Sequence, residues 1–372
     1  MKLRVLELFA GIGACSKALE RLGIEHEIVD AVEIDKYAVK SFNAIHNTNF
    51  EPKDITKYFT HTNIKHWFGE IDLLIHGSPC QSISLAGLQH GADKDSGTRS
   101  SLMWETVRIV EKLRPKYIIW ENVKNLLSKK HRHNFDAYLE TMEQLGYTNY
   151  YQVLNAKDYG IPQNRERVFT ISIRNDIDKS YTFPEPQELK LKLKDMLEDE
   201  VDEKYYLSEK MIKYISATGT ANFRNTDCKI NLDVARPLTT NQDKRAGTTN
   251  YISNKLPNNY DLNLKSKQKQ LISLIEKTNF EEGKVLNMDL YNQTTNENIS
   301  QCLTEPHHNS QRLFDGLRIR KLTPKECWRL MGFDDEDVDK ASKVNSNTQL
   351  YKQAGNSIVV NVLEAILTNL LK

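Results

Sequence analysis

The chain has 372 residues, 39% hydrophobic and 27% charged, with 51 Lys plus Arg against 50 Asp plus Glu. That length suits two domains, or one with a large insertion, and a net charge of +1 names no partner by itself. No apolar run reaches membrane-spanning length, the amino terminus lacks a cleavable leader pattern, and the cysteines Cys15, Cys80, Cys228, Cys302 and Cys327 offer neither a disulfide framework nor metal-ligand spacing, so a reducing, cytoplasmic setting is expected.

Residues 3–9 read as a buried strand, followed by Ala10-Gly11-Ile12-Gly13-Ala14 and a helix over 15–22. Strand, glycine turn and helix open a doubly wound nucleotide-binding sheet, although Ser16 takes the third glycine position of the dinucleotide pattern. A second strand over 27–32 ends in Glu33-Ile34-Asp35, where such folds hold a ribose diol through carboxylate hydrogen bonds. Asp54-Ile55 stands near the end of a third strand, placed to meet an adenine amino group. Together these residues suit an adenosine ligand without a pyrophosphate.

The apolar run 71–76 predicts another strand, feeding Gly77-Ser78-Pro79-Cys80-Gln81. A cysteine at a strand end also reads as a small buried hydrophobe, so its company decides. Residues 82–101 hold Gly87, Gly91 and Gly97, a natural lid, with Arg99 available to a phosphate. A helix over 102–113 leads to the strand 117–120, which presents Glu121-Asn122-Val123 at the same edge as Cys80. That pairing reads as nucleophile and general acid. After a helix over 135–145, strands over 150–154 and 168–173 flank Gln163-Asn164-Arg165-Glu166-Arg167. Alternation puts Arg165 and Arg167 on one face, suited to gripping an anion or carbonyl, or to plain surface ion pairs.

Beyond 173 the pattern changes. Phe183-Pro184-Glu185-Pro186 reads as a linker, and 189–204 as a solvated helix. Short strands are expected across 185–315, where Arg236, Arg245 and Arg312 stand among amides and threonines that could read base edges or simply belong to hairpins. A turn at Gly355-Asn356 and an apolar helix close the chain.

In this order the motifs resemble the cytosine carbon-5 DNA methyltransferases of the bacterial and phage restriction-modification type. Phe9-Ala10-Gly11-Ile12-Gly13, Gly77-Ser78-Pro79-Cys80-Gln81, Glu121-Asn122-Val123 and Gln163-Asn164-Arg165-Glu166-Arg167 match that family's motifs. So do Arg320-Lys321-Leu322-Thr323-Pro324 onward through Gly332-Phe333, and Gln353-Ala354-Gly355-Asn356-Ser357. Ile83 replaces a usual Phe and Ala14 a common Gly, and neither change removes a chemical group.

The resemblance implies an α/β, Rossmann-like, doubly wound methyltransferase sheet over 1–180 and a strand-rich target-recognition domain over 185–315. Residues 316–372 would then return to the catalytic domain. Cys80 would be the nucleophile, Glu121 the proton donor at ring N3 and Arg165 the holder of the cytosine carbonyl, with Arg167, Gln81 and Pro79 completing the site. S-adenosyl-L-methionine would lie on Phe9, Ala10, Gly11, Gly13, Glu33, Ile34, Asp54, Ile55, Leu102, Asn356 and Ser357, with no metal. The implied partners are double-stranded DNA, contacted by Arg99, Arg236, Arg245 and Arg312, and a restriction endonuclease sharing the site without touching the enzyme. A monomer is expected. The nearest rival is a cytosine methyltransferase of transfer RNA, which uses the same motifs. An amino-group methyltransferase lacks its Pro-Pro-aromatic motif here, a nicotinamide dehydrogenase lacks its hydride-transfer groups, and a binding protein without catalysis would not need Cys80, Glu121 and Arg165 together.

Overall fold

Near-continuous apolar runs build the central sheet, because strands covered on both faces need apolar residues at every position. The computed structural model describes residues 2–58, 68–79, 92–93, 96–208, 233–235, 237–238, 251–255, 286–289, 294–297 and 317–372. Strands β1 (Leu3–Leu8), β2 (His26–Val32), β3 (Leu73–His76), β4 (Tyr117–Val123), β5 (Tyr147–Asn155) and β6 (Glu166–Arg174) form one sheet in the order β2-β1-β3-β4-β6-β5. The first four are parallel, and β6 runs antiparallel to both β4 and β5.

Side-chain alternation then divides the interior into two layers. Leu6, Leu8, Leu74, Ile118 and Trp120 face helices α3 (Met103–Leu113) and α4 (Arg132–Gln144). Val5, Leu73, Ile75 and Ile119 face the opposite layer, which includes helix α1 (Ala14–Arg21) and the final helix of the chain. Helix α2 (Lys36–His46) follows β2, with Asp35 accepting from the Tyr37 amide as its N-cap. The remaining strands make two small ribbons: β7 (Tyr251–Lys255) with β10 (Leu317–Lys321), and β8 (Leu286–Asp289) with β9 (Thr294–Glu297).

The carboxyl-terminal helices α5 (Pro324–Arg329), α6 (Asp335–Ser342), α7 (Asn347–Asn356) and α8 (Val360–Leu371) return to the sheet. Lys17 of α1 is buried between Asp334 and Asp337, at 2.8 and 3.0 Å. Lys352 of α7 pairs with Asp35 at 2.6 Å, and Gln353 bonds Ser41 and the Tyr37 carbonyl.

Four expectations need correction. Asp54 ends no strand: its Oδ1 accepts from the Thr56 amide and hydroxyl, turning the chain locally instead. Residues 189–204 form no long solvated helix but two single turns, Leu193–Met196 and Glu203–Tyr205. Leu193 and Met196 are buried, and the Leu193 amide and the Met196 carbonyl bond Asp233 and Arg329, which holds the segment against the core. Gly355 and Asn356 lie in the last turn of α7, and the break in the chain comes at 357–359. Finally, Asn347–Leu371 does reach spanning length and holds an 18-residue window with a mean hydropathy of 1.4, yet it is two helices whose Leu350, Ala354, Leu363, Ile366 and Leu370 lie in the core.

One buried acid links strand to helix beneath the glycine turn. Helix α1 starts at Gly13, which has no side chain to cap it, and Glu7 of β1 supplies the acceptor: its Oε1 takes the Ser16 amide at 3.0 Å and the Ser16 hydroxyl. Burial pushes the Glu7 pKa up to about 7 against those bonds. A carboxyl raised in the folded state stabilises most below its unfolded value, and that contribution is lost as pH rises through 7. Glu7→Gln should therefore gain stability relative to the parent between pH 5 and pH 8, by up to on the order of 3 kcal/mol. Thermal unfolding of both proteins at the two pH values measures this, and a pH-independent difference would refute it.

Candidate active site

The site gathers where β1 to β4 end. Phe9, Gly11 and Gly13 all have positive φ, at 53°, 57° and 81°, so the chain coils tightly after β1. The two glycines serve different ends. A methyl group at Gly13 would lie 2.1 Å from His46 Nε2 and 2.8 Å from Phe42, so the turn packs flush on α2. At Gly11 it would meet nothing within 4 Å, leaving open space against the backbone. The Gly11 amide donates to Glu33 Oε2 at 3.1 Å, and the Asp35 amide to Oε1 at 2.8 Å. Burial raises the Glu33 pKa, and those two backbone bonds oppose the rise.

Around this turn stand the other residues expected to hold an adenosine. The Ala10 amide donates to Val32 and fixes the turn to β2. Ile34 is 69% exposed, an apolar side chain in solvent beside a carboxylate. Hydrogen bonds from Thr56 lower the Asp54 pKa, and Ile55 beside it is buried. Leu102 ends the turn Arg99–Leu102 with its side chain half-buried, and Arg99 is exposed. Asn356 is exposed at the end of α7, whereas Ser357 is buried.

Strands β3 and β4 run side by side, which brings the root of the cysteine turn to the glutamate. A methyl group at Gly77 would sit 3.8 Å from Glu121 Oε2 and 3.7 Å from Ile358. Ser78 is buried, and Asn122 Nδ2 donates to its carbonyl at 3.3 Å. Pro79 follows; Cys80 and Gln81 lie outside the described residues. Glu121, Arg165, Arg167, Phe169, Ile358 and Val359 help to line one cavity.

The two arginines line the same cavity, in keeping with the shared face expected of them, but they bond different partners. Strand β6 begins at Glu166, so Arg165 still belongs to the preceding loop. Its guanidinium donates to three carbonyls, those of Leu238 (3.1 Å), Gly355 (3.2 Å) and Ser357 (2.8 Å). Arg167 instead places Nε 3.1 Å from Glu121 Oε1. Gln163, which the sequence reading passed over, is fully buried: it accepts from the Leu238 amide and donates to the Leu330 carbonyl at 2.7 Å. The signal was available, since an amide side chain amid an apolar fold needs partners for both of its ends. Arg236, Arg245 and Arg312 lie outside the described residues. Ala235 and Leu238, on either side of Arg236, are buried against the arginine motif, with the Ala235 amide bonded to the Pro162 carbonyl.

Open α/β sheets of this Rossmann-like class take their ligands at the carboxyl ends of the strands, where these groups stand. Residues 3–372 match the family described as C-5 cytosine-specific DNA methylase, and the chain belongs to that family. It is similar to the type II methyltransferase M2.ScrFI of Lactococcus lactis subsp. cremoris, 37% identical across 100% of this chain and 99% of the relative. The orphan methyltransferase M.SPBetaI of Bacillus phage SPbeta is 33% identical, covering 100% and 98%. The type II methyltransferase M.HhaI of Haemophilus parahaemolyticus is 32% identical, covering 99% and 94%. Among solved structures, a mutant DNMT2 of Spodoptera frugiperda superposes with a TM-score of 0.68 at 22% identity, over all of both chains. The methyltransferase EhMeth of Entamoeba histolytica gives 0.68 at 18%, over 100% of this chain and 98% of its own; both share the fold. The protein is thus a DNA (cytosine-5-)-methyltransferase, and the transfer-RNA reading is the less supported one.

The different partners of the two arginines make separable predictions. Arg165→Ala leaves three carbonyls without their donor and should lower the melting temperature by several degrees, at roughly 1–3 kcal/mol for each buried group left unsatisfied. Arg167→Ala should change melting much less while slowing methyl transfer, because its contact is with Glu121. Thermal unfolding beside single-turnover kinetics tests the pair. The reverse pattern would overturn the division.

Proposed function

We propose that the protein methylates carbon 5 of a cytosine flipped out of a specific duplex sequence, with Cys80 as the covalent nucleophile. The observation that carries this reading is the meeting of the Gly77 turn, Glu121 and Arg167 beside one cavity, one residue-pair short of the cysteine. Carbon 5 of cytosine is a poor nucleophile until the Cys80 thiolate adds at carbon 6. Glu121 holds a proton at ring N3 as that addition proceeds, and Arg167, rather than Arg165, faces the carbonyl oxygen where negative charge develops. Loss of the carbon-5 proton then expels Cys80 and restores the ring. Pro79 and Gln81 frame the thiol.

S-adenosylmethionine, the methyl donor that the family implies, supplies an electrophilic methyl group when bound. The residues present fit it: open space over Gly11, a carboxylate at the tip of β2 and an exposed Ile34. Glu33 would take the ribose hydroxyls, Ile34 and Leu102 the adenine faces, and Asp54 the adenine amino group through Oδ2, since Thr56 occupies Oδ1. Phe9, Ala10, Gly11 and Gly13 shape the floor, Ile55 backs the adenine pocket, and Asn356 and Ser357 close the methionine end. A flipped base costs a few kcal/mol of unstacking, and a phosphate contact from Arg99 would recover part of it.

DNA carrying 5-fluorocytosine at the target should trap a covalent complex, because fluorine does not leave as a proton does. Cys80→Ala should abolish it, and tritiated methyl transfer assayed on duplex DNA and transfer RNA side by side should favour DNA. An adduct persisting in Cys80→Ala would end the nucleophile assignment.

Recognition belongs, in this reading, to the middle of the chain, and the enzyme acts as a monomer in the cytoplasm, with a restriction endonuclease reading the same sequence independently. Ala235 and Leu238 bond the arginine motif, which supports taking 239–315, within the recognition segment 185–315, as the part to exchange. Exchanging 239–315 for those of a relative with another target should transfer the sequence methylated, as base contacts rather than phosphate contacts specify sequence. Methylcytosine sequencing reads the result; an active chimera faithful to the parent's target would place recognition elsewhere.

A further inference from the structure

Behind the cysteine turn lies a buried aromatic stack that the reaction scheme leaves unused. Trp120, on β4 immediately before Glu121, is 1% exposed. The His76 ring lies parallel to it at 5.5 Å between centroids, with Tyr138 at 4.1 Å and Phe135 at 5.8 Å. His76 Nε2 sits 3.3 Å from the Tyr138 hydroxyl. Burial pushes the His76 pKa down to about 3, so this stack carries no charge in the working pH range.

An indole has one polar atom, and when buried it needs an acceptor. Here the Trp120 Nε1–H donates to Ser78 Oγ at 3.0 Å. Ser78 itself is 4% exposed and stands two residues before Cys80, separated from it by Pro79, whose ring fixes its own φ. The same strand that delivers Glu121 therefore also grips the turn that delivers the thiol. A serine with a small side chain is the residue that lets a tryptophan reach this point.

We propose that Trp120 and Ser78 form a positioning pair, in which a hydrogen bond between strand β4 and the cysteine turn sets where Cys80 meets carbon 6 of the flipped base. This rests on Cys80 being the nucleophile. Neither residue touches substrate; each acts through the turn. Misplacing a reacting group by about 1 Å costs roughly 100-fold, so even partial slack should show in the covalent step.

The experiment is a double-mutant cycle on the full-length enzyme, with Trp120→Phe, which keeps the ring in the stack but removes the N–H, and Ser78→Ala. Formation of the 5-fluorocytosine adduct is followed in single turnovers, with S-adenosylmethionine and duplex affinities measured separately. Each single variant should form adduct roughly 10- to 100-fold more slowly. Both affinities should stay within roughly twofold, the signature of an interaction acting on the chemical step. The double variant should be no slower than Ser78→Ala alone, because that change already removes the Trp120 bond together with the longer 3.5 Å contact from Asn122 Nδ2. Ser78→Thr, which retains a hydroxyl, should recover much of the rate. Effects that multiply in the double variant, or that appear in the affinities instead of the rate, overturn the proposal. Should Trp120→Phe fail to fold, Ser78→Ala with Ser78→Thr decides alone: equal rates in the two refute it. Adduct formation by Cys80→Ala, run in parallel, would instead refute the underlying nucleophile assignment.

Discussion

A single guanidinium holds three distant parts of the chain together. Arg165 stands in the loop before β6, and its bonds reach Leu238 from the middle of the sequence and Gly355 and Ser357 near its end. Carbonyl oxygens are weak ligands singly, but three aimed at one buried cation replace the water it has lost. Gln163, two residues earlier, repeats the pattern with neutral atoms, binding Leu238 and Leu330. The arginine motif is therefore the seam along which the sheet, the chain at Ala235 and Leu238 and the returning helices meet. Gly77, Glu121 and the break at 357–359 keep their spacing because that seam is closed.

A second buried cation organises the far side of the seam. Arg320 of β10 and Glu326 of α5 form a two-pronged pair, at 2.8 Å each, with exposures of 1% and 0%. Such a pair costs much desolvation, and hydrogen bonds from its surroundings must offset it. Glu326 also accepts the amides of Thr323 and Glu198, and Thr323 caps α5 in return. The pair thereby ties the last strand, the helix start and the segment near 198 into one knot. Geometry as well as energy follows, since a bidentate fork admits one orientation.

Local chemistry explains what the sequence could reveal. The glycine turn after β1, the Pro-Cys turn after β3 and the Glu-Asn pair at the end of β4 are each written within a few consecutive residues, where strand patterning and turn residues agree. Their convergence at one sheet edge follows from parallel strand order. What escaped was settled by contacts across the chain. Alternation puts Arg165 and Arg167 beside one cavity, but the carbonyls and the carboxylate that each meets come from distant segments of the chain. Asp54 was read as a strand end because the pattern is apolar and acidic, yet Thr56 two residues on offers a tighter local partner. The 189–204 run has helical composition without a continuous apolar stripe, so tertiary bonds from Asp233 and Arg329 overrode its propensity. Gln163 had no local signal at all beyond its chemistry.

Helix α8 packs directly on α1, so a helix near residue 14 is covered by one that begins at residue 360. Until α8 has emerged, one face of the sheet, with Val5, Leu73, Ile75 and Ile119, lacks that part of its apolar cover. The methyltransferase sheet consequently matures late, through contacts of very large sequence separation, which slow folding and lengthen the exposure of apolar surface. Nascent chains of this enzyme should depend on holding chaperones more than their ordinary composition suggests. A chain that stops before Val360 carries Glu121 and the glycine turn in its sequence, yet leaves the apolar layer around α1 without that cover.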